Sequence, residues 1–169
     1  QLLATDLNEV IESAMAVFAD RLQDISVSLA LSPKIPLVMA DPEQMKRVIV
    51  NLMDNAAEAM SDAPVRKLLI ATAQPLTDTV ELSITDTGAG ISAADKEKLF
   101  LPYFSTKERG TGLGLAIVSH IVTEHHGRVR VEDNYPTGAR FVVELNALPQ
   151  GDLTPSAQSA DQQAATLNV

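Results

Sequence analysis

Asp41-Pro42-Glu43-Gln44-Met45-Lys46-Arg47-Val48-Ile49-Val50-Asn51-Leu52-Met53-Asp54-Asn55-Ala56-Ala57-Glu58-Ala59-Met60 carries a helix start followed by two unlike faces. Asp41 suits the capping position, Pro42 the first helical position, where its missing N–H is not needed, and Gln44 stands at capping-box spacing. The pattern predicts a helix over 42–60. Met45, Val48, Ile49, Leu52, Met53, Ala56 and Met60 form one apolar stripe at three- and four-residue steps, the face that goes to a core. Gln44, Arg47, Asn51, Asn55 and Glu58 recur on another face. Asparagine is a poor helix-interior residue, so two of them one turn apart without a capping role point to a use; by themselves they also read as two solvated amides.

Outward from this helix, residues 6–22 repeat the helical period at Leu7, Val10, Ile11, Ala14, Met15, Phe18 and Leu22. Val27, Leu29 and Leu31 alternate as in a half-buried strand that Pro33 and Pro36 close. Two β-rich runs, 67–73 and 80–86, flank a hairpin loop over 74–79. Regular pattern then breaks from 87 to 111, apart from a short helical stretch at 93–100, and an irregular connection that long in a compact domain is usually functional. Leu115, Ile117, Val118, Ile121 and Val122 restore a helix, with Gly127 at its expected end. Two last strands, 128–132 and 140–146, flank a turn with Pro136 and Gly138. This order of elements predicts an α+β fold: a two-layer α/β sandwich whose mixed, mostly antiparallel sheet packs on about three helices. Residues 1–148 form the expected domain. Residues 149–169, rich in Pro, Gly, Ser, Gln, Asp and Ala with no Lys or Arg, are expected to be a disordered tail.

Composition narrows the chemistry. The absence of cysteine excludes disulfides and thiolate metal sites, so any metal must use oxygen or imidazole ligands. A formal charge of −9 argues against a nucleic-acid or anionic-membrane surface, and an anionic ligand would need local cations. No apolar run reaches the length of a membrane span, and the first residues lack the plan of a signal peptide. Because it begins with Gln1, the chain is expected to be a fragment, with room upstream for a membrane anchor.

Asp86-Thr87-Gly88-Ala89-Gly90-Ile91 ends a strand with a carboxylate and two glycines. A strand-end carboxylate can accept from an amine, and the glycines let the backbone approach a flat base. Gly110-Thr111-Gly112-Leu113-Gly114-Leu115 opens a helix, where free N–H groups and the dipole favour an anion. Alone, either segment is more often just a turn, and no strand leads directly into Gly110 as the dinucleotide fingerprint requires.

Taken in order, residues 51–58, 86–91 and 110–115 resemble the N, G1 and G2 boxes of the superfamily of gyrase, heat-shock chaperone, histidine kinase and mismatch-repair ATPases. Phe100-Leu101-Pro102-Tyr103-Phe104-Ser105-Thr106-Lys107 resembles the F box of sensor histidine kinases, and the short lid with Phe-Ser-Thr-Lys is most similar to the nitrogen-regulation type. The resemblance extends over about residues 2–149. It implies the Bergerat ATP-binding fold with a mobile ATP lid, ATP as substrate, ADP as product, and Mg²⁺. By position, Asn55 would ligate Mg²⁺, Asn51 would support metal and phosphates, and Asp86 would receive the adenine amine. Gly88, Gly90 and Ile91 would shape the adenine pocket, with Glu58 nearby. Phe104 and Thr106 belong to the lid, and Lys107, with Arg109, supplies a mobile cation over the phosphates. Gly110, Thr111, Gly112, Leu113, Gly114 and Leu115 would form the phosphate-facing turn. Asn51, Asn55 and Lys107 are the implied catalytic residues.

The implied activity is transfer of the ATP γ-phosphoryl to a histidine on a dimerisation helix absent from this chain, for relay to a response-regulator aspartate in two-component signalling. Implied partners are the protein's own dimerisation helices and a receiver domain, with no nucleic acid and no direct membrane contact by this stretch. The isolated domain would be a monomer, the full-length protein a homodimer, and the location cytoplasmic, with room for an inner-membrane anchor on the full-length protein. His120, His125 and His126 sit in or at the end of the helix after the lid, where a structural role through the helix dipole is expected.

Two positions depart from the family pattern: Glu58 replaces a common Lys or Arg, and Ala139 replaces a common Thr after Gly138. A third separates the branches. Where hydrolytic relatives and anti-sigma serine kinases carry a Glu that activates the nucleophile, this chain has Asn51, whose amide cannot take a proton at neutral pH. A nucleotide-sensing module that transfers no phosphate stays open, and so does a hydrolase, which a steady ATPase rate lost in Asn51→Ala would mark.

Overall fold

The computed structural model of the protein describes residues 1–104 and 113–150. In chain order its elements are β1 (Leu3–Thr5), α1 (Leu7–Phe18) with a 3-10 turn after it (Ala19–Leu22), β2 (Ser26–Ala30), β3 (Val38–Ala40), α2 (Pro42–Ala59), β4 (Lys67–Leu76), β5 (Thr79–Asp86), α3 (Ala93–Lys96), α4 (Gly114–Glu124), β6 (Arg128–Asp133) and β7 (Ala139–Asn146). Among the described residues, β2, β4, β5, β7 and β6 form one sheet in that spatial order. Only β2 and β4 run parallel, and α2 lies between them in sequence, as a parallel neighbour requires a long crossover. The other pairs are antiparallel. The expected two-layer α+β arrangement is therefore present.

Period-two alternation decides which face is buried. Leu68 and Ile70 of β4, Val80, Leu82 and Ile84 of β5, and Phe141, Val143 and Leu145 of β7 join the apolar stripes of α1, α2 and α4 in one core. All seven residues of the α2 stripe read from the sequence are buried. The opposite sheet face carries an ion-pair lattice: Arg130 meets Glu81 at 3.2 Å and Glu132 at 2.9 Å, and Arg140 meets Glu132 at 2.7 Å.

Several local expectations are corrected. β2 is an edge strand with Leu29 47% exposed, so it is less buried than its alternation suggested. The hairpin loop is shorter than 74–79: β4 runs to Leu76 through an irregularity between Ala73 and Leu76, which lets Pro75 sit in the strand without a ladder N–H. A two-stranded antiparallel sheet of β1 and β3 was not foreseen, because three-residue strands carry too little period to read. Of 93–100, only Ala93–Lys96 is α-helical, and Leu101 N–H to Lys98 O continues as a turn. At the end of α4 the left-handed residue is His126 (φ 57°), not Gly127. Gly127 is required for another reason, since a Cβ there would overlap the Glu144 carbonyl oxygen of β7.

The start of α2 differs in a way that joins two helices. Asp41 Oδ1 accepts from the N–H groups of Glu43 (3.0 Å) and Gln44 (3.3 Å), as a cap should. The reciprocal half of the capping box is absent, because the Asp41 N–H donates instead to Nε2 of the buried His125 at 3.0 Å. His125 Nδ1 donates to Ile121 O at 2.7 Å, which fits the neutral ring with its hydrogen on Nδ1. Its role is structural, as expected, but it works by hydrogen bonding and not by charge on the dipole. The predicted tail lies, from residue 151 onward, outside the described residues. Before it, Leu148 N–H still donates to Leu37 O at 2.8 Å.

Candidate functional site

The strand-end carboxylate is the most heavily built part of the site. Asp86 closes β5 and is 1% exposed. Its Oδ1 accepts from Gly88 N–H at 2.8 Å and from Ala139 N–H at 3.3 Å, which fixes the plane of the group. Thr87 donates through its hydroxyl to Val65 O at 2.7 Å and accepts from Lys67 N–H at 3.0 Å, tying the same segment to the start of β4.

This segment lies against the last turn of α2. A Cβ on Gly88 would overlap the Ala59 carbonyl oxygen, and Ala89 N–H donates to that oxygen at 3.2 Å, satisfying one of the carbonyls a helix end leaves over. Gly88, expected from the sequence to let the backbone approach a ligand base, is already demanded by packing on α2. Ala59 was not singled out, since nothing in an alanine signals a neighbour. Gly90 adopts φ 76° beside Gly138. Ile91 is half-buried against the core.

Eight residues back along α2 is Asn51, half-buried, whose Nδ2 donates to Gly114 O at 3.5 Å, a long bond. It brings the middle of α2 to the start of α4. At a rise of about 1.5 Å per residue, Asn51 and Ala59 are about 12 Å apart along the axis. Asn55 lies between them and is half-buried, and Glu58 is exposed. The adjacent Asp54 pairs with Arg21 at 2.9 Å, whose guanidinium also stacks 5.2 Å from the Phe18 ring centroid.

No side chain among the described residues caps α4, whose N-cap is Leu113. The first N–H groups of any helix lie at the positive end of its dipole, where an anion is favoured. Gly114 is exposed and Leu115 half-buried. Phe104 is half-buried against the core, and the residue before it, Tyr103, takes φ 63° with 79% exposure. Thr106, Lys107, Arg109, Gly110, Thr111 and Gly112 lie outside the described residues.

The turn between β6 and β7 also reaches the site. Asn134 Nδ2 donates to Asp86 O at 2.8 Å and the Thr137 hydroxyl to Gly88 O at 2.7 Å. Neither was singled out, because Asn, Pro, Thr and Gly together announce only a turn. A groove of about 400 Å³ runs between residues 89–92 and 133–138; Asn51, Asn55 and Asp86 do not line it. Among the described residues no cluster of three His, Asp or Glu could hold a metal by itself, and no helix is long and apolar enough to cross a membrane.

The family model described as histidine kinase-, DNA gyrase B-, and HSP90-like ATPase matches residues 40–149. Sensor histidine kinase ZraS of Escherichia coli O157:H7 is 36% identical over 146 residues, which cover 85% of this chain and 31% of that protein. Sensor protein FixL of Bradyrhizobium diazoefficiens is 36% identical over 143 residues, 83% of this chain and 28% of FixL. The chain thus spans about a third of the length of these relatives. A solved structure of the mycobacterial sensor histidine kinase MprB superposes with TM-score 0.78 at 30% identity, covering 88% of this chain and 99% of that one.

Proposed function

The chain belongs to the histidine kinase-, DNA gyrase B- and HSP90-like ATPases, as the ATP-binding catalytic domain of a sensor histidine kinase, and from that premise we propose that it delivers the ATP γ-phosphoryl to a histidine on a dimerisation helix of the same protein. A receiver-domain aspartate of a response regulator then takes the group, and the full protein works as a homodimer. One observation supports this most: buried Asp86 sits beside the last turn of α2, while Asn51 on the same helix meets the N-terminus of α4. A single helix thereby touches the segment of an amine acceptor and the start of α4 at positions eight residues apart, about 12 Å along its axis.

In this reading Asp86 accepts from the adenine amine, with Gly88, Gly90 and Ile91 beside the base. Asn55 offers a neutral amide oxygen to Mg²⁺, and Asn51 supports it. The donor set fits a hard ion that keeps water and shares phosphate oxygens, since a neutral amide oxygen is a hard ligand that leaves most of the coordination to water and phosphate. When bound, Mg²⁺ supplies charge neutralisation to the phosphates. Lys107 and Arg109 add cations that a chain of net charge −9 needs there. Asn51 cannot act as a base, so positioning and charge carry catalysis, and the imidazole acceptor is its own nucleophile. The Phe-Ser-Thr-Lys lid supports a nitrogen-regulation subtype. Residues 1–148 are the catalytic unit on the cytoplasmic side, and 149–169 a tail.

Mixing the chain with the dimerisation helices of its own protein and γ-labelled ATP should give acid-labile phosphate on protein. Asn55→Ala should abolish the label and most of the Mg²⁺-dependent ATP affinity. A folded, ATP-binding chain that labels no histidine would refute the transfer.

A further inference from the structure

The turn between β6 and β7 contacts the nucleotide-site backbone through two side chains. Asn134 Nδ2 donates to the carbonyl of Asp86 at 2.8 Å, and the Thr137 hydroxyl donates to the carbonyl of Gly88 at 2.7 Å. The turn is itself closed by Asn134 N–H to Gly138 O at 3.0 Å. The residue after it, Ala139, gives its N–H to Asp86 Oδ1 at 3.3 Å, and Gly88 N–H reaches the same oxygen at 2.8 Å.

We propose that Asn134 and Thr137 are positioning residues for the nucleotide base: they pin the carbonyls on either side of Thr87 and so hold the Asp86 carboxylate in one orientation before ligand arrives. The inference rests on reading Asp86 as the adenine acceptor. A strand-end carboxylate followed by Gly88 and Gly90 stands on backbone that is intrinsically free to pivot. Recognition of an amine by such a group depends steeply on angle, and a pivoting acceptor spends binding energy on being ordered. Here each of the two carbonyls is held by its own side-chain donor from a second strand pair. Ala139 has no hydroxyl to offer the base, so the orientation of Asp86 carries more of the discrimination, and the turn adds to the hold that Ala59 and the start of β4 already have on this segment.

The test uses the 169-residue chain, with ADP and pyrophosphate titrated calorimetrically in Mg²⁺ and amide exchange of Gly88 and Ala139 followed by NMR without ligand. Thr137→Val and Asn134→Ala should each weaken ADP about 3- to 10-fold, the effect of one lost hydrogen bond, leave pyrophosphate unchanged, and speed exchange of the Gly88 amide. Thr137→Ser should restore both readouts. Should Asn134→Ala not fold, the Thr137→Val and Thr137→Ser pair carries the test. Equal losses for ADP and pyrophosphate, or no change in either readout in a folded Thr137→Val chain, would overturn the positioning role. Asp86→Asn separates the premises. If it removes the preference for ADP while the turn variants do not, only the positioning role falls; if it leaves the preference intact, the adenine reading of Asp86 falls and takes the inference with it.

Discussion

On the proposed reading, the two ends of the nucleotide site along α2 are built differently. At Ala59 the helix meets the strand-end segment backbone to backbone, around a carboxylate that is 1% exposed and held by two main-chain N–H groups. At Asn51 it meets α4 through one side-chain amide at 3.5 Å. The far end of α4, by contrast, is anchored by His125 to Asp41. The proposed base end is thus preorganised by contacts that exist without ligand, whereas the start of α4 is joined to α2 by a single long hydrogen bond among the described residues.

The largest expected effect sets one glycine from each end against the other. Gly138 has φ 110°, and a Cβ there would overlap the Asp86 carbonyl oxygen. Gly138→Ala should cost about 3 kcal/mol or more of stability, through backbone strain and steric displacement together, and ADP binding should go with it. Gly114 has nothing within 4 Å of an added Cβ, so Gly114→Ala should stay within about 0.5 kcal/mol of the parent. Urea midpoints of the two variants decide the matter, and equal costs would erase the contrast.

A smaller effect probes the anchor of α4. His125→Ala removes the acceptor of the Asp41 N–H and the donor to Ile121 O in a buried place, at a cost of about 1–3 kcal/mol. The preference for ADP over pyrophosphate should survive, because the base end does not use this contact. If that preference collapsed along with stability, the two ends would not be separable units.

Much of this was legible in the sequence because it rests on period and capping. The α2 stripe, the order of the main strands and the strand-end placement of Asp86 follow from the spacing of apolar residues and from Asp41-Pro42. What stayed hidden depends on partners distant in sequence. Nothing near Asp41 says that its N–H belongs to His125, and nothing near Thr137 says that its hydroxyl reaches Gly88. Gly88 was legible as a glycine beside a ligand base and Gly138 only as part of a turn; both are also required by close approach to Ala59 and Asp86 of this same chain. β1 and β3 were missed because three residues cannot display a period of two convincingly.

The smallest expected effect asks whether the stiffness of the base end comes from buried backbone contacts or from the exposed lattice on the same hairpin. Glu132 lies on β6, and Arg130 first, then Arg140, hold its carboxyl below the usual carboxylate range. A depressed folded value means that the pairing stabilises the protein above the unfolded pKa of about 4.3 and that this stabilisation is lost as pH falls through the folded value. The side chain is 41% exposed, so water and salt screen the interaction, and Glu132→Gln should cost at most about 0.5 kcal/mol at pH 7. Urea midpoints of parent and variant should converge on acidification below the ordinary carboxylate range, and should differ less at pH 7 in high salt. ADP affinity at pH 7 should be unchanged. A loss of ADP affinity in Glu132→Gln would mean that the orientation of Asp86 is set from the outer face of the sheet as well as by the turn, and the base end would no longer be the self-contained half of the pair.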